Sequence, residues 1–174
     1  MSIAIWLVLG ACAIAVATDV STRRIPNLLT AALAVAALAI HATMGWSALG
    51  ISALTLVGVL LLGFVAFSFG WLGGGDVKLL AAGAAALGLP DAVPFLIYTA
   101  FAGGILALLF AIATGRLRSV IASVVGVLRP FAFKGTVAVA PSSPITLPYA
   151  VAIASGAAAV ALSHSAAPFL RLPL

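Results

Sequence analysis

Long apolar runs dominate this chain, and short segments with Gly, Pro or charged residues separate them. Unbroken runs rich in Ala, Leu and Val predict helices, whereas the strands of a membrane barrel would alternate over about ten residues. Gly and Pro mark the helix boundaries. The pattern predicts helices at about Ile3–Thr18, Leu28–Met44, Ala48–Leu72, Val77–Leu89, Ala92–Thr114 and Leu147–Ser165.

The composition excludes a soluble domain. Apolar residues make up 65% of the chain and charged residues only 6%, with a mean hydropathy of +1.36, whereas soluble domains carry roughly a quarter charged residues. In lipid, every backbone polar group must be satisfied internally, which favours helices here. We therefore predict an all-α, polytopic membrane protein with about six transmembrane helices, forming one domain over residues 1–174. The fourth helix, Val77–Leu89, is shorter than a comfortable span of roughly 17–25 residues.

The basic residues predict the orientation, because cytoplasmic loops carry an excess of Lys and Arg. One side of the predicted bundle holds seven of the eight basic residues, and the other side holds only Arg171. Both termini are therefore expected outside, and no cleaved leader is expected because no positive segment precedes the first apolar run. The net charge of +5 then needs no nucleic-acid partner. The seven basic residues on the predicted cytoplasmic side are Arg23, Arg24, Lys78, Arg116, Arg118, Arg129 and Lys134.

The chain has only three carboxylates, Asp19, Asp76 and Asp91. An acid at membrane depth is costly, so each is a functional-site hypothesis by default. The predicted orientation places Asp19 and Asp76 at the cytoplasmic face and Asp91 at the opposite face. Asp91 follows Leu89-Pro90, where a role in a turn is favoured. The first two acids are therefore candidates for a working pair.

Structural roles compete with catalysis for both of these acids. Asp76 could cap the helix that follows it, and Asp19 could pair with Arg23 one turn later. Capping alone does not explain two acids on one face with Gly73–Gly75 beside one of them. Two adjacent carboxylates would share one proton, so that one activates water while the other polarises a peptide carbonyl. The glycines would allow unusual backbone angles and let a substrate strand approach.

Three other features receive weaker interpretations. Lys78 either extends to the lipid headgroups and sets the orientation, or meets substrate charge and tunes the acids. Cys12 is a lone thiol and supplies neither a disulfide nor a zinc cluster, so no metal or cofactor is predicted. The apolar stretch Ser119–Leu128 is too short to span and is expected to lie in the interface or to re-enter shallowly.

Both acids stand in motifs that resemble a known family. Gly73-Gly74-Gly75-Asp76 with Val77-Lys78 fits the G-x-G-D signature of the intramembrane aspartic proteases. Asp19 followed by Arg24-Ile25-Pro26-Asn27 is similar to the first aspartate motif of the type IV prepilin peptidases. Pro148-Tyr149 is similar to the opening of that family's final segment.

The resemblance implies a bacterial inner-membrane endopeptidase that acts on prepilins or pseudopilins. It would remove their basic leader at the cytoplasmic face, before the hydrophobic amino-terminal helix and typically after a glycine. Asp19 and Asp76 carry over as the catalytic pair, with Gly73 and Gly75 as loop glycines, and Lys78 is kept as a supporting candidate from its position alone. No cofactor and no nucleic acid are implied, and the bilayer is the surrounding partner.

The chain departs from the larger family members in one respect. Those members carry a cytoplasmic insert with paired CxxC motifs, associated with methylating the new pilin amino terminus. Here Asp19 directly follows the first helix and the chain has one cysteine. It therefore resembles the short subgroup associated with Flp-type tight-adherence pili, and neither methyl transfer nor a zinc site is expected. Two alternatives stay open: a proton-coupled transporter or channel that uses the same acids, and a non-catalytic membrane subunit of a pilus or secretion machine.

Overall fold

The computed structural model describes residues 2–115 and 149–166, and the regular elements within these residues are all helices. The prediction of an all-α protein is therefore confirmed. The stretch Ser119–Leu128, and the basic residues that follow Gly115, lie outside the described residues. The helices are α1 (Ile3–Thr22), α2 (Asn27–Thr43), α3 (Trp46–Ser68), α4 (Gly74–Leu87), α5 (Leu89–Ala113) and α6 (Ala150–Ala166).

Three of these helices, α1, α3 and α5, are long and apolar enough to cross a membrane. Helices α2 and α6 have 17 residues each, which is about 25 Å at 1.5 Å per residue. Helix α3 leaves large apolar side chains uncovered, and Leu54 and Leu62 are 74% and 72% exposed. Such a surface suits lipid rather than water, so the chain is a polytopic membrane protein.

Helix α4 has only 14 residues and lies in the core of the helices. It packs against α2 and α3 most extensively, and also against α1 and α6. Its middle is a run of alanines that are almost fully buried, and small side chains of this kind let neighbouring helices approach closely. The hydroxyl of Ser52 on α3 donates a hydrogen bond of 3.0 Å to the carbonyl of Ala85. Because protein surrounds α4 on most sides, it does not need the length of a span.

Close contacts at glycines set the distance between several helices. A Cβ atom at Gly63 of α3 would lie 2.5 Å from Cγ1 of Val77 on α4. A Cβ atom at Gly156 of α6 would lie 2.9 Å from the backbone nitrogen of Thr99 on α5. Neither position has room for a larger residue unless the helices move apart.

The predicted end of α1 was wrong by one turn. The helix continues from Thr18 to Thr22, because the hydroxyls of Thr18, Ser21 and Thr22 donate to carbonyls of the preceding turn instead of ending it. Asp19 therefore lies inside the last turn of α1. Helix α3 ends earlier than predicted, at Ser68, and Gly70 follows with a positive φ of 72°.

Helices α4 and α5 each begin three residues earlier than predicted. Helix α4 begins at Gly74 instead of Val77, so Asp76 lies in its first turn. Helix α5 begins at Leu89 and includes Pro90 and Asp91 in its first turn, rather than starting after them. Proline is tolerated there because the first N–H groups of a helix have no partner within the helix. The prediction that Asp91 sits in a turn was therefore wrong.

The chain forms two compact units, residues 1–103 with 148–174, and residues 104–147. The described part of the second unit, residues 104–115, completes α5 and ends in a turn at Gly115. All residues of the candidate site below belong to the first unit. The assignment of residues 1–174 to one domain stays a prediction.

Candidate active site

Asp19 lies in the last turn of α1 and is 8% exposed. The helix ends when the N–H of Arg23, which has a left-handed φ of 55°, donates to the Asp19 carbonyl at 2.9 Å. A carboxylate near the carboxyl end of a helix opposes the helix dipole, so Asp19 needs a partner from another element. Ala150, the first residue of α6, provides a long hydrogen bond of 3.4 Å from its N–H to Oδ2 of Asp19. The positive end of α6 therefore faces this carboxylate.

Asp76 is the third residue of α4 and is partly buried. Its Oδ2 accepts a hydrogen bond of 3.2 Å from the N–H of Gly73. This is one half of a capping box, and Gly73 has no side chain to supply the other half. Asp76 therefore does have a capping role: its carboxylate accepts a hydrogen bond from the backbone N–H of Gly73, the residue before the helix.

The two carboxylates also influence each other. Helix α4 is not among the helices long enough to span a membrane. The pKa of Asp76 is raised to about 6, and burial of the carboxyl group is the largest cause. The negative charge of Asp19 acts in the same direction, and the hydrogen bond from Gly73 partly offsets both. Helices α1 and α4 pack directly against each other, and α6 contacts both. Both acids thus lie at the same end of the bundle, near enough for the charge of Asp19 to act on Asp76, and a rise in pKa of this kind favours a pair that holds one proton.

The glycines before Asp76 act through their small size rather than through unusual backbone angles. Gly74 and Gly75 are helical, and Gly73 is extended with φ −75°. A Cβ atom at Gly73 would lie 2.7 Å from Oδ2 of Asp76, and one at Gly75 would lie 3.1 Å from Cβ of Ile25. The expectation of unusual backbone angles is therefore wrong, and close approach explains the glycines.

The two aspartate motifs pack against each other. Ile25 lies against Gly75, and the Nζ of Lys78 donates a hydrogen bond of 2.9 Å to Oδ1 of Asn27. Lys78 is two residues beyond Asp76, which places it roughly on the opposite side of α4, at about 100° per residue. It therefore ties α4 to the start of α2. An open groove of about 390 Å³ lies beside it, lined by Asn27, Thr30, Ala31, Ala34, Leu56, Leu60 and Lys78.

Tyr149 is a neighbour of the acids that was not among the predicted site residues. It directly precedes Ala150, and its half-buried ring packs against Gly103 on α5. Burial raises the pKa of Tyr149, and the negative charge of Asp76 adds to the increase. The signal in the sequence was the Pro148-Tyr149 pair, which stands directly before the last apolar run.

The third acid lies at the other end of the helices. Asp91 in the first turn of α5 pairs with His164 near the end of α6, at 2.9 Å between Oδ1 and Nε2. The helix order had predicted Asp91 on the side opposite to Asp19 and Asp76, and its position in the structure agrees. Within the described ranges, no group of three or more His, Cys, Asp or Glu side chains is arranged to hold a metal ion.

Comparison with known protein families gives a match. Residues 6–108, more than half of the chain, match the type IV leader peptidase family. This stretch includes both aspartate motifs, and α6 with Tyr149 lies beyond it. No curated protein and no solved structure matches the chain. The chain therefore belongs to the type IV leader peptidase family and is a membrane peptidase of the prepilin leader type.

Proposed function

We propose that this peptidase is an aspartic endopeptidase that removes the leader from Flp-type prepilins or pseudopilins, with Asp19 and Asp76 as its catalytic residues. One observation carries the proposal. Two carboxylates from separate helices lie at the same end of the bundle, where the charge of Asp19 adds to the raised pKa of Asp76. A raised pKa of this kind is typical of carboxylate pairs that share one proton and activate water.

The proposed reaction needs one proton on the pair at the start. The ionised carboxylate takes a proton from water, whose oxygen bonds to the carbonyl carbon of the scissile peptide. The protonated carboxyl gives its proton to the carbonyl oxygen. The first carboxyl then protonates the amide nitrogen, the second recovers a proton from the diol, and the C–N bond breaks. The products are a carboxylic acid and a free amine, and the pair again holds one proton.

The charge distribution supports action at the cytoplasmic face of the inner membrane. Arg23 and Arg24 follow Asp19 directly, and Lys78 follows Asp76 by two residues. Basic residues mark the cytoplasmic ends of membrane helices. A basic leader would remain on that side while the apolar helix of the pilin lies in the bilayer. The single cysteine, which excludes paired CxxC motifs, supports the short Flp-type subgroup.

The two alternatives make different demands on the acids. A proton-coupled transporter needs acids near the middle of the bilayer, whereas Asp19 and Asp76 occupy the ends of their helices. A non-catalytic subunit would tolerate the loss of either carboxyl group.

The test is a processing assay with a co-expressed precursor, and the chain offers a matched control. Asp19→Asn and Asp76→Asn are expected to lower processing by about 10³-fold or more, as loss of a catalytic group does in other proteases. Asp91→Asn makes the same chemical change at the other end of the bundle and is expected to keep wild-type processing. Full processing by Asp19→Asn or Asp76→Asn, with all variants inserted in the membrane, would contradict the proposal.

A further inference from the structure

We infer that Tyr149 is a third catalytic residue, whose hydroxyl donates a hydrogen bond to the carbonyl oxygen of the scissile peptide while negative charge develops there. The inference depends on the proposed function and extends it to a group outside both aspartate motifs. It also assigns a chemical task to the start of α6, which lies beyond the residues that match the family.

The backbone of Tyr149 belongs to the same turn that holds Asp19. The N–H of the next residue, Ala150, donates to Oδ2 of Asp19. The carbonyl of Tyr149 accepts a hydrogen bond of 3.2 Å from the N–H of Ile153, which closes the first turn of α6. The first turn of α6 therefore places Tyr149 next to the residue that binds Asp19.

The ring of Tyr149 is held by α5. A Cβ atom at Gly103 would lie 2.7 Å from both Oη and Cε2 of Tyr149, so only glycine permits this position of the ring. The ring also contacts the buried core of the first unit. Donors that are already held in place before the reaction contribute most to stabilising charge in a transition state, because they need no reorganisation.

Within residues 2–115 and 149–166, the hydroxyl of Tyr149 is left for a substrate. Among the described residues, none forms a hydrogen bond with it, and the side chain is only half-buried. The charge of Asp76 reaches Tyr149 and, together with burial, raises its pKa. The phenol therefore keeps its proton where the acid pair works, and a protonated phenol is a hydrogen-bond donor.

The first test compares the two tyrosines of the chain. Tyr149→Phe keeps the ring and its packing on Gly103 but removes the donor. It is expected to lower kcat by on the order of 100-fold, as loss of one such donor does elsewhere, while KM stays within about threefold. Tyr98→Phe makes the same change on α5, at a side chain that is 40% exposed, and is expected to leave both constants unchanged.

The second test moves the hydroxyl without removing it. Gly103→Ala forces the ring of Tyr149 to shift and is expected to lower kcat by at least tenfold. Gly104→Ala is the matched control, because a Cβ atom there meets nothing within 4 Å. If both changes act on the same hydrogen bond, the double variant Gly103→Ala/Tyr149→Phe is expected to be no slower than Tyr149→Phe alone.

These outcomes separate the inference from the proposed function. If Asp19→Asn and Asp76→Asn are inactive but Tyr149→Phe keeps kcat within threefold of wild type, the inference is wrong and the function stands. A rise in KM at constant kcat would also overturn it, because the hydroxyl would then serve binding alone. If Tyr149→Phe does not accumulate, the comparison of Gly103→Ala with Gly104→Ala decides, and equal activity of these two variants overturns the inference.

Discussion

Asp76 combines two roles that compete in the sequence: it caps α4, and it is one acid of the proposed catalytic pair. The hydrogen bond from Gly73 favours the ionised carboxylate, whereas burial and the charge of Asp19 favour the protonated form. Burial is the largest of the three effects, and the pKa rises to about 6. Asp76 therefore caps α4 and still holds a proton more tightly than an exposed aspartate does. The same residue can serve the helix and the reaction.

This balance predicts how activity depends on pH. Below about pH 6 the Asp76 carboxyl is protonated and the pair can supply an acid. As the pH rises through this value the proton is lost, so kcat/KM is expected to fall on the alkaline side. The measurement is the pH profile of kcat/KM in detergent or proteoliposomes, and the apparent value belongs to the pair rather than to one residue. Asp91→Asn should show the same profile, and a profile that stays flat through this region would contradict the assignment.

At the scale of elements, α4 is positioned by small residues on its neighbours. Gly63 of α3 admits Val77, and Gly75 of α4 admits Ile25 from the segment before α2. Since Asp76 lies between these two contacts along α4, the separation of the helices sets the position of its carboxylate. The glycines that let these helices pack closely, Gly63 and Gly75, therefore also affect the geometry of the site.

Gly63→Ala is expected to disturb both stability and activity. Its new Cβ would lie 2.5 Å from Cγ1 of Val77, and overpacking of this kind typically costs about 1–3 kcal/mol. Thermal unfolding in detergent and the processing assay would measure the two effects. Gly58→Ala on the same helix is the control, because a Cβ atom there has no neighbour within 4 Å. Adding Val77→Ala should restore part of the loss, and failure to do so would mean that the contact is not the cause.

At the scale of the whole molecule, the charged groups of the described residues lie at the two ends of the helices. Asp19, Asp76, Arg23, Arg24 and Lys78 lie at one end, and Asp91 pairs with His164 at the other. Charged groups at helix ends can reach water or lipid headgroups, which lowers the cost of keeping them in a membrane protein. The bias of the basic residues then predicts which end faces the cytoplasm.

Thiol labelling in intact cells tests this orientation. The only native thiol, Cys12, is buried and can be removed as Cys12→Ala. In that background, Thr22→Cys reports the exposed end of α1 and Thr43→Cys reports the exposed end of α2. An impermeant maleimide is expected to label Thr43→Cys from outside and Thr22→Cys only after lysis. The reverse pattern would place the acids on the outer face.

Several features of this protein followed from the amino-acid sequence alone. Hydropathy and the need to satisfy backbone groups in lipid predicted the helices found in residues 2–115 and 149–166, because both act within each segment. The order of these helices also placed Asp19 and Asp76 on one side and Asp91 on the other. Boundaries were less accurate, since hydroxyls extended α1 past Thr18 and glycines were included in the start of α4.

Only the tertiary structure decided how the site is assembled. Three contacts join segments that lie far apart in the chain. They are the hydrogen bond from the N–H of Ala150 to Asp19, the packing of the Tyr149 ring on Gly103, and the hydrogen bond from Lys78 to Asn27. Such contacts depend on the distance and rotation at which helices pack, and one methyl group is enough to change both. Local patterns carry no information about these distances. For this reason both acids and the capping role of Asp76 could be found in the sequence, whereas the contact of Asp19 with α6 appeared only once the helices were packed together.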